Sequence, residues 1–360
     1  MRILFVDSRI DGHHISYCRA LINKSLDCGC NVALCTPQEI EVFDNRVHQI
    51  VFGENEKYYK WIMHIYNEAK RLKADIVHFL YGDHLYRYFG YELSKIGKIA
   101  RVIITFHQVR RGFLHDISIR CISKRADCVV VHTDDLKDAF HSLKVSNVCH
   151  IEYPQFQESL ITESKDNLRK NLGIVESDAK VLLALGATRM DKGLDILLKA
   201  LNGVSSPFYL IIAGKEADFT LEFINREIIN YKDRVILKLK FLSDLEFTEC
   251  ISCSDIVVLP YRKIFDGASG PLGEGVWQGK EIIGPNHKSL GRIITDHHLG
   301  KTFECESSES LQKCIDSACR EKWVPDLKYE QYRKQLDPNV FATKYYNQYM
   351  NLLSGGQNGK

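Results

Sequence analysis

Four short segments of the chain combine residue types that can hold an anion and read hydroxyl groups. Asp11-Gly12-His13-His14 follows the apolar run Arg2–Val6. A Gly where a strand turns into a helix lets a ligand approach the backbone, and the amides of a helix N-terminus favour an anion. A tight turn with exposed histidines explains the same residues. The pattern is not G-x-G-x-x-G, which disfavours a dehydrogenase-type dinucleotide site. His107 closes the apolar run Arg101–Phe106 and is followed by Arg110 and Arg111. A His in that place can donate to a substrate hydroxyl or move a proton, and paired arginines suit phosphate or carboxylate. A solvated loop is the plainer alternative. His78 and His132 lie inside apolar runs and read as satisfied core histidines.

The third segment runs Gly186-Ala187-Thr188-Arg189-Met190-Asp191-Lys192-Gly193, after Val181–Leu185. Arg189 and Lys192 share one loop with a Gly that permits close approach, as a diphosphate clamp requires, whereas dispersed surface cations are the simpler account. The fourth is the most informative: Leu259-Pro260-Tyr261-Arg262-Lys263-Ile264-Phe265-Asp266-Gly267-Ala268-Ser269-Gly270-Pro271-Leu272-Gly273-Glu274. A buried strand ends, a Gly/Ser loop bares its amides, and Pro271 sits where a first helical turn begins. Glu274, one turn in, suits a ribose diol and Asp266 suits sugar hydroxyls. A helix cap accounts for Pro271 but not for two acids flanking glycines.

These segments need elements to position them. Runs rich in Val and Ile start at Arg2, Asn31, His48, Asp75, Arg101, Cys128 and Asn147, separated by stretches of helical periodicity. A second series starts at Lys180, Phe208, Arg234, Asp255 and Glu281. Both series read as repeated βαβ units, hence two doubly wound parallel sheets in an α/β protein. Such sheets bind ligands outside the carboxyl ends of their strands, where all four segments fall. The boundary is placed near residue 160, giving domains 1–160 and 161–325. The remainder, 326–354, carries Phe341, Tyr345, Tyr346, Tyr349 and Leu352 on one helical face that must dock.

With 360 residues, 45% hydrophobic and 26% charged, the chain has the composition of a soluble globular protein of about two domains. Its 48 Lys+Arg against 46 Asp+Glu call for no nucleic acid. No apolar window spans a bilayer, and Asp7 arrives too early for a secretory leader, so a cytoplasmic protein is expected. The twelve cysteines sit in apolar runs, and Cys250-Ile251-Ser252-Cys253 lacks a second pair or His ligands, so core packing is expected and no metal site.

Together the four segments resemble the retaining glycosyltransferases of the GT-B fold, in particular glycosyltransferase family 4. The match runs in order along nearly the whole chain: Gly12, His107, Arg189 with Lys192-Gly193, Ile212-Ala213-Gly214-Lys215, and Asp266 to Glu274. Two positions depart from that family. Its first acid is commonly Glu in a Glu-Gly-Phe-Gly context where this chain has Asp266, and Ala187 stands where an arginine is usual.

The resemblance implies two Rossmann-like domains facing across a cleft, with a C-terminal helix crossing back to the first. It implies that the second domain binds a nucleotide diphosphate sugar as donor, through Gly186, Arg189, Lys192 and Lys215. Phe241 and Leu242 would lie in the base-contacting loop; Gly267, Ala268, Ser269, Gly270 and Leu272 would face phosphate and hexose, and Glu274 the ribose. The first domain would hold the acceptor, with Gly12 near phosphate, His107 near the sugar, and Asp11, His13, His14, Arg110 and Arg111 on the acceptor side. The expected enzyme is a retaining, metal-independent hexosyltransferase without cofactor, making a polysaccharide, glycolipid or other glycoconjugate. The absence of any D-x-D triplet agrees with metal independence.

The catalytic set is His107, Arg189, Lys192, Asp266 and Glu274. A nucleotide-sugar epimerase of the same fold and a non-catalytic sugar-binding protein are the alternatives. Arg110, Arg111, Arg120, Lys124 and Arg125 would form a basic face toward anionic lipid at the inner side of a membrane, and a solvated helix explains the same charges.

Overall fold

A computed structural model describes residues 1–10, 14–40, 44–53, 56–109, 112–156, 163–176, 178–265 and 267–355. Contacts divide the chain into two units. One comprises Met1–Phe156, residues 266–268 and Asp337–Lys360; the other comprises Gln157–Phe265 and Ser269–Leu336.

The first unit is built on seven parallel strands: β1 (Arg2–Val6), β2 (Asn31–Thr36), β3 (His48–Val51), β4 (Ile76–Phe79), β5 (Arg101–Phe106), β6 (Cys128–Val131) and β7 (Val148–His150). They lie in the order β3-β2-β1-β4-β5-β6-β7, with Leu4 opposite both Ala33 and Val77. The continuous apolar runs are explained by burial on both faces. Helix Tyr58–Leu72 seats Trp61, Ile62 and Ile65 against Leu4 and Val77, and helix His14–Asp27 seats Tyr17, Leu21 and Ile22 against Ile3 and Phe5. Strand order reverses between β1 and β4, which makes the carboxyl ends of those two strands the place for a ligand.

The C-terminal helix Pro338–Ser354 belongs to this unit. Asp337 caps it by accepting from the Asn339 amide, and Pro338 opens its first turn. Phe341, Tyr345 and Tyr349 are fully buried with Phe5 and Tyr17, as the periodicity predicts, while Tyr346 and Leu352 flank them. Residues 326–336 correct the sequence reading, which joined them to this tail. They form helix Leu327–Gln335 of the second unit, where the Tyr329 hydroxyl lies 3.0 Å from the Val276 carbonyl and 2.8 Å from that of Lys280. Buried Tyr329 and Tyr332 anchor that helix, and Asp337-Pro338 starts a new one.

The second unit has six parallel strands: β8 (Lys180–Leu185), β9 (Phe208–Ala213), β10 (Val235–Lys238), β11 (Ile256–Val258), β12 (Glu281–Pro285) and β13 (Gly300–Phe303), in the order β10-β9-β8-β11-β12-β13. Its switch point lies between β8 and β11. Strand β13, Gly-Lys-Thr-Phe, escapes sequence reading because an edge strand needs no two-sided apolar run, and only Phe303 is buried. Cys250 and Cys253 are fully buried beside Ile251, and all twelve cysteines are free thiols. Among the described residues no helix is long and apolar enough to cross a membrane.

Candidate functional site

In the second unit the loops after β8 and β11 meet at the switch point of the sheet. After β8 the chain turns at Gly186 with φ +111°, and a Cβ there would run into the Lys192 ammonium. Gly193, at φ +62°, lets the following helix Leu194–Leu201 start against the Pro260 carbonyl, where a Cβ would collide. The loops after β8 and β11 are thus locked together, and Lys192 is held between Gly186 and the ring of Tyr261, its Nζ 5.6 Å from the ring centroid. Gly186, Ala187, Thr188, Lys192, Pro260 and Tyr261 line a small cavity there.

The loop after β11 leads into helix Gly270–Trp277. Ser269 caps it by accepting from the Leu272 amide at 3.3 Å, and the Tyr261 hydroxyl lies 3.2 Å from the same Ser269 oxygen. The first-turn amides and the positive end of the helix dipole favour an anion. Glu274, one turn inside, is buried at 3% exposure. Gly270 and Leu272 belong to this first turn, and Gly267 takes the left-handed conformation at φ +99° with Ala268 half-buried beside it. Asp266 lies outside the described residues, as do Asp11, Gly12, His13, Arg110 and Arg111.

Arg189 departs from its expected partnership with Lys192. Its guanidinium makes a two-pronged pair with Asp191, Nε to Oδ1 at 3.0 Å and Nη2 to Oδ2 at 2.7 Å, and its side chain is 47% exposed. Among the described residues lining the cavity, Lys192 is the cation and Arg189 is not one of them. The reason is local: a carboxylate two positions on matches the guanidinium fork. Lys215 is exposed after β9, and its carbonyl accepts from the Thr188 amide at 3.0 Å. Thr188, buried, also donates to the Phe219 carbonyl at 2.7 Å and accepts from the Ala217 amide at 2.9 Å, tying the two loops together. Phe241, after β10, exposes 81% of its surface, and Leu242 beside it is half-buried. An aromatic face left open at the carboxyl edge of a sheet suits stacking on a flat ring.

The first unit gathers titratable groups at its own switch point. Asp7 ends β1 and accepts from the Arg9 amide at 3.0 Å and from His14 Nδ1 at 3.2 Å; burial raises its carboxyl above the usual range. The His14 ring packs on Tyr81, after β4, and on His107, after β5, at 5.3 and 5.4 Å between centroids. His107 Nε2 lies 2.9 Å from the Leu80 carbonyl, which can only accept, so that nitrogen carries the proton and Nδ1 keeps its lone pair. Burial, with His132, His14 and Arg9 nearby, holds this imidazole well below its usual pKa, and it is neutral. At Nδ1 His107 therefore offers an acceptor, where the sequence reading has it donate to a hydroxyl or move a proton. Beside it a cavity of about 490 Å³ is lined by Tyr81, Asp83, Tyr86, Arg87, Gln108 and His115, among others. On the neighbouring helix Phe113–Ser123 and just beyond it, Arg120 and Lys124 are exposed, whereas Arg125 is engaged with the carbonyls of Phe89 and Cys121 at 2.9 Å.

Residues 164–339 match the family model described as glycosyl transferases group 1. This stretch is similar to the members of that family. The whole chain is similar to a glycosyltransferase from Rickettsia africae ESF-5, with a TM-score of 0.77 at 19% identity over 98% of each chain. It is similar to HepE of Anabaena in complex with UDP and glucose, with a TM-score of 0.76 at 13% identity over 98% of this chain and 100% of that one. A third likeness is to the catalytic domain of starch synthase IV from Arabidopsis thaliana bound to ADP and acarbose, at 0.69 and 14% over 98% and 99%. These likenesses show the fold, which is GT-B. No curated protein sequence matches the chain.

In the second unit the sequence reading names Lys192, Ser269 and Glu274 and does not single out Tyr261 or Thr188, which line the same cavity as Lys192. Each lies three residues past the end of a strand, Thr188 after β8 and Tyr261 after β11. In the first unit Asp7 and Tyr81 are passed over: each ends an apolar run and reads as its last core residue.

Proposed function

We propose that this protein transfers a hexose-type sugar from a nucleotide diphosphate sugar to an acceptor hydroxyl, with retention of configuration and without a metal ion. The observation that carries the reading is the seating of the Lys192 ammonium against Gly186, beside a Ser269-capped helix N-terminus, at the β8/β11 switch point. The family match and the likeness to a UDP-bound enzyme support it. Lys192 and the first-turn amides of helix Gly270–Trp277 would hold the diphosphate, Glu274 the ribose diol, Phe241 the base, and Lys215 the outer phosphate edge.

Chemically, the bond between the anomeric carbon and the phosphate oxygen breaks while the acceptor oxygen bonds to that carbon. Negative charge grows on the departing diphosphate, where a fixed ammonium and helix amides stabilise it. The acceptor proton passes to that phosphate oxygen, so the products are the glycosylated acceptor and a nucleoside diphosphate. His107, neutral with Nδ1 open, would accept from a sugar hydroxyl. The cavity beside Tyr81, Asp83 and Arg87 offers the acceptor aromatic faces and polar groups. Exposed Phe113 and Leu114, at 81% and 64%, with Arg120 and Lys124 on the same helix or just past it, support peripheral contact with anionic lipid.

A thermal-shift screen of nucleotide sugars, followed by radiolabel transfer in excess chelator, tests the reading. Stabilisation by one nucleotide sugar and label transfer with chelator present are expected. Activity lost in chelator and restored by manganese would count against the metal-free mechanism, and conversion of the donor without acceptor would make the protein an epimerase.

A further inference from the structure

We infer that Tyr261 is the positioning residue that orients the diphosphate site, through its ring to Lys192 and through its hydroxyl to Ser269. This rests on the donor-site reading above. Tyr261 lies three residues past the end of β11, at the switch point of the second sheet, and is 2% exposed. Its ring face carries the Lys192 ammonium at 5.6 Å, within the range of a cation–π contact. Its hydroxyl reaches the Ser269 oxygen that caps helix Gly270–Trp277. One side chain thus touches both elements that would meet the phosphates.

The surrounding structure makes this dependence specific. A lysine has four rotatable bonds and no fixed fork, so an ammonium contributes to anion binding in proportion to how well something else holds it. Gly186 blocks Lys192 on one side, and among the described residues no salt bridge to a carboxylate pins it. Two neighbouring cations are engaged elsewhere, Arg189 with Asp191, and Arg262 with Asp195 at 2.6 Å. Alanine at 187 supplies no second cation. Tyr261 itself is immobilised by Phe265, with ring centroids 4.3 Å apart, and by Cys305, whose thiol lies 3.6 Å from its carbonyl. It holds Lys192 toward the cavity without neutralising it, which a carboxylate could not do.

The test compares affinities for UDP and UMP, for GDP and GMP, and for ADP and AMP, by calorimetry on the full chain. The ratio within a pair isolates the second phosphate from the base and ribose. Wild type should favour one diphosphate over its monophosphate. Tyr261→Met, which fills the space without a π face, should lower that ratio about tenfold, the effect of losing one desolvated cation–π contact. Tyr261→Phe keeps the ring and should retain most of the ratio. Lys192→Met should lower it at least as far, and Tyr261→Met added to Lys192→Met should cost only the small part that Tyr261→Phe loses through Ser269, since the ring acts through that one ammonium. Should Tyr261→Met fail to fold, a ring-fluorinated phenylalanine at 261, which keeps the shape and drains the ring face, gives the same comparison. An unchanged ratio in a folded variant, or additive losses in the double variant, overturns the inference. A wild type that prefers no diphosphate overturns the donor-site reading as well, and so is told apart from failure at Tyr261 alone.

Discussion

Tyr345 of the C-terminal helix hydrogen-bonds Tyr17, 328 positions earlier in the chain, and this link closes a directed chain of polar groups through the first unit's core. Its direction is set at one end. His132 Nδ1 faces the Ile151 carbonyl at 2.8 Å and must donate, so its Nε2 accepts from Tyr17 at 3.2 Å. Tyr17 then accepts from Tyr345, Tyr345 from Thr105 at 3.0 Å, Thr105 from His78 Nε2 at 2.9 Å, and His78 Nδ1 from Tyr349 at 2.8 Å. Every member donates once and accepts once except Tyr349, which only donates. The rings of Tyr17 and His132 also pack on His107, at 5.2 and 5.1 Å, so the tail helix underpins that residue.

Tyr345→Phe removes a hydroxyl from the middle of this chain, leaving the Thr105 hydroxyl without its acceptor and Tyr17 without its donor. A loss of about 1–3 kcal/mol is expected, the cost of a buried polar group left unmatched. Tyr349→Phe breaks only the terminal link and should cost less. Denaturant unfolding followed by a probe in the first unit ranks the two, and equal losses would show that the chain does not act as one unit.

The same network sets an acid limit. Burial pushes His78 down to about 3 and His132 to about 4, below the usual value near 6.5. The unfolded chain binds protons below about 6.5 that the fold refuses until pH 4 or 3, so stability present at neutral pH is lost as pH falls through that window. Each histidine contributes about 1.4 kcal/mol per pH unit there. Thermal unfolding between pH 7.5 and 5 should show the slope in the first unit, and His132→Gln should flatten it. An unaltered slope in that variant would remove His132 from the account.

The alternation of Val/Ile runs with helical stretches made twelve of the strands legible, because a strand buried on two faces has to be apolar. The cation that lines the β8/β11 cavity was less legible. Arg189 and Lys192 look equivalent in sequence, and what separates them is a pairing between Arg189 and Asp191 that depends on side-chain direction, not on spacing. Tyr261 was invisible for a different reason: an aromatic at the end of a buried strand has the pattern of core, and only folding brings Lys192 and Ser269 onto its two ends. The hydroxyl of Tyr345 was hidden in the same way inside an apolar helical face.

That separation of the two cations can be measured. Lys192→Ala should reduce kcat/KM for sugar transfer by about 10²–10³, the usual effect of removing a charge-stabilising group from a reacting site, with little change in melting temperature. Arg189→Ala, which breaks a half-exposed pair with Asp191, should stay within about fivefold of wild type. Steady-state kinetics on both variants decides, and a reversed order would restore Arg189 as the principal clamp.

Glu281, the first residue of β12, is 3% exposed, and burial pushes its carboxyl up to about 7, against the pull of Lys301 and Lys180. The folded chain therefore keeps a proton that the unfolded chain releases near 4.5. Stability is present below about pH 4.5 and is lost as pH rises toward 7, after which both states are ionised and the deficit is constant. Glutamine has the shape of the protonated side chain and carries no charge to desolvate. Glu281→Gln should leave the melting temperature of the second unit nearly unchanged at pH 5 and raise it by a few degrees at pH 8, a shift that corresponds to roughly 1–2 kcal/mol in a domain of this size. Differential scanning calorimetry at the two pH values makes the comparison, and the same difference at both would show that the ionisation of Glu281 is not what strains β12.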